Sequence, residues 1–276
     1  MTSERSGKGP TGEITRKKFH LYAAGHRLSA LFLTPGETPA DSPVLVFLHE
    51  GLGSIGQWRD FPDAVCAATG CPALIYDRWG YGGSDPLTAP RKPHYLHDEA
   101  LISLPEILKQ CGIERPIFIG HSDGGSIALI YTGTYPERVL GIITEAAHVF
   151  VEDVTVEGIR RAVEVYERTD LKTRLAKFHG SNTDSMFHGW ADTWLSPDFR
   201  NWNIEEYLPA ITCPVLASQG KEDEYGTPAQ IAAIAGKVSG PATACMIENC
   251  GHIPHIQARE KVLAKMVSFI RSLMKH

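Results

Sequence analysis

From residue 44 onward, short unbroken apolar runs alternate with longer stretches in which apolar residues recur at helical spacing. Val44–Leu48, Ala73–Asp77, Pro116–Gly120 and Val139–Ala146 are runs of the first kind. A run this short, without polar alternation, suits a strand buried on both faces of a sheet. Gly56–Ala68, Tyr95–Cys111 and the stretch from Ser126 to Pro136 carry the helical spacing. The alternation resumes with strands at Val215–Gln219 and Thr243–Ile247 and helices at Pro228–Val238 and Pro254–Met274. This order predicts an α/β fold with a mostly parallel central sheet flanked by helices. Two further β-like segments, Lys17–Tyr22 and Arg27–Leu33, precede it across the turn Ala24-Gly25, and Pro35 to Pro43 reads as a linker. Residues 1–16 read as a flexible lead-in.

The alternation lapses between His148 and about Leu208. Val156–Arg168 is amphipathic, with Ile159, Val163 and Tyr166 on one side and Arg160, Arg161, Glu164 and Glu167 elsewhere. An aromatic-rich region with Phe178, Phe187, Trp190, Trp194, Phe199 and Trp202 follows. The chain is therefore expected to comprise a core of residues 17–147 and 209–276, interrupted by a helical cap at 148–208. Trp190 and Trp194 are candidate walls of a substrate pocket, although aromatics at this spacing more often pack the cap itself.

Candidate chemistry centres on Gly120-His121-Ser122-Asp123-Gly124, set between the strand Pro116–Gly120 and a helix-like segment. A serine on a sharp strand-to-helix turn needs small residues two places to either side, and glycines fill both. Serine is a poor nucleophile without a base to take its proton and an acceptor to hold that base in one tautomer. Downstream, the strand Val215–Gln219 leads into Gly220-Lys221-Glu222-Asp223-Glu224, where three carboxylates compete for the acceptor role. The strand Thr243–Ile247 leads to Gly251-His252, with His255 as the rival base. All of these sites follow the carboxyl ends of strands, which share one edge of a parallel sheet. The first helical N–H after the nucleophile, that of Asp123, lies where the helix dipole favours negative charge and is a natural oxyanion donor.

Composition narrows the partners. The chain is 43% hydrophobic and 21% charged, with a net charge of −5, so nothing draws it to nucleic acid or to an anionic membrane. No stretch has the ~20 apolar residues that span a bilayer, and the first ten residues lack a signal peptide's apolar segment, which points to the cytoplasm. The six cysteines show no C-x-x-C spacing and read as free thiols; Cys250, beside His252, lacks a base of its own. The histidines show no H-x-x-x-H spacing, so no metal is expected. Homodimerisation is left open.

Five motifs, in order, resemble those of the α/β-hydrolase superfamily: His49-Glu50-Gly51-Leu52-Gly53-Ser54, Asp77-Arg78-Trp79-Gly80-Tyr81-Gly82-Gly83-Ser84, the Ser122 turn, Gly220-Lys221-Glu222-Asp223, and Gly251-His252. The resemblance spans nearly the whole chain. It implies an α/β-hydrolase fold with a helical cap, and a Ser122–His252–Asp223 triad needing no cofactor. It also implies an oxyanion hole from the N–H groups of Asp123 and Gly51. Glu50 stands where the family usually has its first glycine, so its own N–H is an alternative donor, and its side chain is expected to brace the loop or to tune substrate charge. Asp123 either seats its helix or attracts a cationic amine, since some amino-ester hydrolases of the superfamily are similar in having Ser-Asp-Gly-Gly. His148 is a further candidate pocket residue, or a plain core histidine. The implied activity is cleavage of a carboxylic ester or related small acyl substrate through an acyl-enzyme. Amide or carbon–carbon bond hydrolysis, and a non-catalytic ligand receptor on the same scaffold, are the alternatives. Haloalkane dehalogenases and epoxide hydrolases of this fold carry aspartate at the place of Ser122.

Overall fold

The computed structural model describes residues 13–39 and 41–274. Eight strands form one sheet: β1 (Ile14–Ala23), β2 (His26–Pro35), β3 (Leu45–Leu48), β4 (Ala73–Tyr76), β5 (Ile117–His121), β6 (Gly141–Glu145), β7 (Val215–Gly220) and β8 (Ala242–Ile247). Their spatial order is β1-β2-β4-β3-β5-β6-β7-β8. The β1–β2 hairpin and the β2–β4 pairing are antiparallel; from β4 to β8 every neighbouring pair is parallel. β1 begins at Ile14, which pairs with Pro35, so the last residues assigned to the lead-in belong to a strand. Residues 1–12 of that lead-in lie outside the described residues.

The apolar runs are explained by two core layers. In β3, Leu45 and Phe47 face one layer and Val46 and Leu48 the other, as a two-residue period dictates. All four residues of β3 and of β4 are buried, because helices cover both faces. The helices are α1 (Phe61–Thr69), α2 (Tyr95–Asp98), α3 (Leu104–Gln110), α4 (Asp123–Thr134), α5 (Asp153–Arg168), α6 (Leu171–His179), α7 (Thr183–Leu195), α8 (Pro228–Lys237), α9 (Pro254–Gln257) and α10 (Arg259–Leu273). Helices α5, α6 and α7 form an insertion between β6 and β7, the stretch in which the alternation lapses.

Three long helices of the sequence reading are interrupted. Gly56–Ala68 becomes a 3₁₀ turn at Ile55–Trp58 and then α1, broken at Arg59 with φ 55°. The break seats the Trp58 ring against Phe47 and His255. Tyr95–Cys111 contains a π-type turn at Glu99–Ser103, where the buried Glu99 accepts a hydrogen bond from Tyr76. Pro254–Met274 is split at Ala258 (φ −133°), so that α9 stays against the His252 loop while α10 packs on α1.

Candidate active site

The Ser122 turn is held by the closeness of three backbone segments. Ser122 has φ 50° and ψ −117°, outside the regions that non-glycine residues ordinarily occupy. Its N–H donates to the carbonyl of Glu145 at the end of β6, 2.8 Å away. A Cβ on Gly120 would come within 2.4 Å of the Gly124 carbonyl oxygen, and one on Gly124 within 1.9 Å of the Leu48 carbonyl oxygen. Both obstacles are backbone and cannot swing away. Gly124→Ala is therefore expected to destabilise the protein by about 3 kcal/mol or more. Gly236→Ala, in the last turn of α8 with nothing among the described residues within 4 Å of the added Cβ, should be neutral or stabilising. Urea unfolding of both variants checks the contrast.

Asp223 and His252 meet at the same sheet edge. The imidazole Nδ1 lies 2.8 Å from Asp223 Oδ1, with both side chains nearly buried. Asp223 Oδ1 also accepts from the Tyr225 N–H (2.9 Å), and Oδ2 from Gln219 Nε2 (3.2 Å). Burial alone would push the Asp223 carboxyl up; the charge and hydrogen bond of His252 outweigh it and hold it below its ordinary value. Burial likewise works against charge on His252, but Asp223, through charge and hydrogen bond, raises that ring above its ordinary value. Glu222 plays no part in this pair. Glu224 Oε2 accepts from the backbone N–H of His252 instead (3.2 Å). His255 is engaged elsewhere, its Nδ1 lying 2.6 Å from the fully buried Glu145. The Ser122 hydroxyl forms no hydrogen bond among the described residues; it and His252 line one cavity of about 140 Å³.

Glu50 and Gly51 sit on the loop after β3. The Glu50 carboxylate accepts the N–H of Leu52 (2.9 Å), bracing the loop, while burial pushes its carboxyl up. The Glu50 carbonyl accepts from Gly53 N–H (3.1 Å), His49 Nδ1 (2.8 Å) and Arg78 Nη2 (2.8 Å). His49 Nε2 accepts the Arg78 N–H (3.1 Å), so this neutral ring carries its proton on Nδ1. Among the described residues, the N–H groups of Glu50, Gly51 and Asp123 donate no hydrogen bond.

The Asp123 side chain is fully buried. Its Oδ2 accepts from Tyr95 (2.7 Å) and faces Arg78 Nη2 (3.4 Å), while its Oδ1 is buried without a partner among the described residues. Tyr95 accepts in turn from Trp194 Nε1 (2.9 Å) on α7. Trp190 lies flat against Gly51, where a Cβ would come within 2.2 Å of its indole nitrogen. Trp190, Trp194, His148, Glu50 and Asp123 all line the cavity with Ser122. His148 Nε2 donates to the Tyr225 carbonyl (3.0 Å), while its Nδ1 is buried without a partner. All six cysteines are free, and burial pushes the Cys250 thiol up to about 11, far from a nucleophilic thiolate at neutral pH.

Residues 43–203 match the family model described as the alpha/beta hydrolase fold. The chain belongs to the α/β-hydrolase family. It is 31% identical over 266 residues to a proline iminopeptidase of Lactobacillus delbrueckii subsp. bulgaricus, covering 82% of this chain and 88% of that protein. It is 25% identical over 266 residues to the proline iminopeptidase of Saccharolobus solfataricus, covering 82% and 84%. A solved membrane phospholipase A, described as a bacterial virulence factor, superposes with a TM-score of 0.74 at 17% identity, over 95% of this chain and 87% of that one. The general activity of this α/β-hydrolase is thus hydrolysis. Among the described residues no helix is long and apolar enough to cross a membrane.

Several site residues of this α/β-hydrolase escape a reading of the sequence alone. Arg78 lies inside a motif that was informative only through its order in the chain. Tyr95 and Gln219 carry no local pattern, and the Glu145–His255 pair joins residues 110 positions apart.

Proposed function

We propose that this α/β-hydrolase cleaves esters of small carboxylic acids through an acyl-enzyme on Ser122, with residues 148–208 acting as a cap over the site. The observation that carries this reading is the His252–Asp223 hydrogen bond at 2.8 Å, with His252 opening on the cavity that holds Ser122. His252 takes the Ser122 proton as the hydroxyl attacks the carbonyl, and Asp223 stabilises the imidazolium that forms. The N–H groups of Gly51 and Asp123 receive the oxyanion, the latter aided by the N-terminal dipole of α4. His252 then protonates the leaving alcohol and activates the water that frees the acid. A cavity of about 140 Å³ is small beside pockets for drug-sized ligands, which favours a short acyl group. Glu50 and Ile253 also wall a neighbouring cavity of about 320 Å³, with room for the leaving group. A fluorophosphonate probe tests the reading: covalent labelling and ester turnover are both expected to vanish in Ser122→Ala, and labelling that survives there overturns it.

The base must be neutral to act, and the surroundings of His252 raise its pKa above the ordinary 6.5. Protonation below that pKa removes the base, so kcat/KM should rise with pH through an apparent pKa above 6.5. A pH–rate profile on a neutral ester, with its limb centred below that value, contradicts the assignment.

A second reading is favoured by the charge of the cavity wall. Glu50, Asp123 and Glu224 line it, and among the described residues no lysine or arginine does. Arg78 and Tyr95 engage Asp123 at Oδ2, and its Oδ1 is buried without a partner among the described residues. Substrates with a cationic amine fit this wall, in keeping with the iminopeptidase names of the relatives. An α-amino ester should turn over at least about tenfold faster than its N-acetyl form, a gap of about 1.4 kcal/mol; equal rates sink the amine reading and leave the esterase reading intact.

A further inference from the structure

We infer that Arg78 positions both oxyanion donors through a single buried guanidinium, an assignment that rests on the acyl-transfer reading above. Arg78 is 1% exposed and, among the described residues, is the one buried lysine or arginine. Its Nη2 donates to the Glu50 carbonyl (2.8 Å) and reaches the His49 carbonyl (3.3 Å). The same nitrogen faces Asp123 Oδ2 at 3.4 Å, and Nη1 does so at 3.5 Å. One side chain therefore ties the loop after β3 to the first residue of α4.

The peptide geometry gives that link its consequence. The carbonyl of Glu50 and the N–H of Gly51 belong to one peptide unit, and no peptide among the described residues is cis. In a trans unit the two bonds point in opposite directions. Arg78, His49 Nδ1 and Gly53 N–H hold the carbonyl, so the Gly51 N–H is aimed the other way and left free to donate. A cation on the carbonyl also polarises the unit and strengthens its N–H as a donor. On the opposite side, Arg78 and Tyr95 clamp the Asp123 carboxylate, which pins the residue whose N–H is the second donor.

A buried ion pair is by itself weak evidence of stabilisation. Here the two Nη nitrogens contact the two segments that the acyl-transfer reading brings to one oxygen atom, while Nε has no partner among the described residues. Lysine carries the charge on one nitrogen and lacks the second, Nη1, that also faces Asp123 Oδ2. Arg78 thus acts through the two peptides and touches no substrate.

Kinetics of Arg78→Met and Arg78→Lys test this, read below the Tm of each variant and beside Ser122→Ala. Arg78→Met is expected to lower kcat about 10²-fold, the loss typical of one oxyanion donor, with KM changed less than about threefold. Affinity for a trifluoromethyl ketone, which forms a tetrahedral adduct, should fall in proportion to kcat/KM, while affinity for the product acid stays level. Arg78→Lys should recover about tenfold of kcat, because charge returns to the Glu50 carbonyl without the second contact. Folded variants with wild-type kcat and ketone affinity overturn the proposal, as does failure of both variants to fold, which makes Arg78 a purely structural residue. Retained turnover in Ser122→Ala is a separate outcome: it removes the acyl-enzyme reading itself.

Discussion

Ser122→Ala is expected to lower kcat by ~10⁴- to 10⁶-fold, with the melting temperature nearly unchanged. The loss should be severe, and the nearby Cys250 does not replace the hydroxyl, being buried with its thiol pushed up to about 11. The fold should tolerate the change because the strained φ of 50° is imposed by the Glu145 carbonyl and the crossing of β3, β5 and α4, none of which depends on the Ser122 hydroxyl. Residual turnover should come from the oxyanion donors and binding alone. Steady-state kinetics on a short-chain ester, with calorimetry on the same samples, check both halves. Activity above about a tenth of wild type removes Ser122 from the nucleophile's role.

Asp223→Asn should cost ~10⁴-fold in kcat, and the structure explains why asparagine cannot adapt. Oδ1 accepts from the Tyr225 N–H and Oδ2 from Gln219 Nε2. Gln219 Nε2 also donates to the carbonyls of Gly226 (2.8 Å) and Thr227 (3.2 Å), so its amide cannot turn to offer an acceptor. An asparagine NH₂ placed at Oδ2 meets that donor. Placed at Oδ1 it meets the Tyr225 N–H and donates to His252 Nδ1, forcing the proton onto Nε2, where it blocks acceptance from Ser122. Loss of the carboxylate also removes the largest of the influences that raise the His252 pKa, so the acid limb of the pH–rate profile should move down. A pH–rate profile of the variant measures both effects. An unchanged kcat identifies another acceptor, with Glu224 the nearest rival through its bond to the His252 N–H.

Much of this site is legible in the order of residues, for local reasons. The Gly120–Gly124 turn is written in five consecutive residues, because only glycine fits where backbones of neighbouring elements pass within van der Waals reach. The buried strands appear as unbroken apolar runs, since both faces of the sheet are covered. The edge strands β1 and β8 are exceptions: most of β1 and the first three residues of β8 are not buried. Breaks inside helices are less visible, as at Ala258 and Arg59, where helical spacing continues across a change of direction set by packing on α1 and the His252 loop.

Tertiary structure alone decides which of several chemically equivalent neighbours meets which partner. Three adjacent carboxylates at 222–224 carry the same chemistry in sequence; the loop after β7 brings Asp223 to the His252 ring and Glu224 to its backbone. His252 and His255 are equally good bases on paper, yet Glu145 at the end of β6 engages the second. Asp123 reads locally as a carboxylate at the lip of a site; the fold adds Arg78, 45 positions earlier, and Tyr95 on one of its two oxygens. Local conformation follows from sterics and hydrogen bonding within a few residues, and a linear pattern records it. Partnership across 28 to 110 positions follows from the order in which strands join the sheet, and only the folded chain records that.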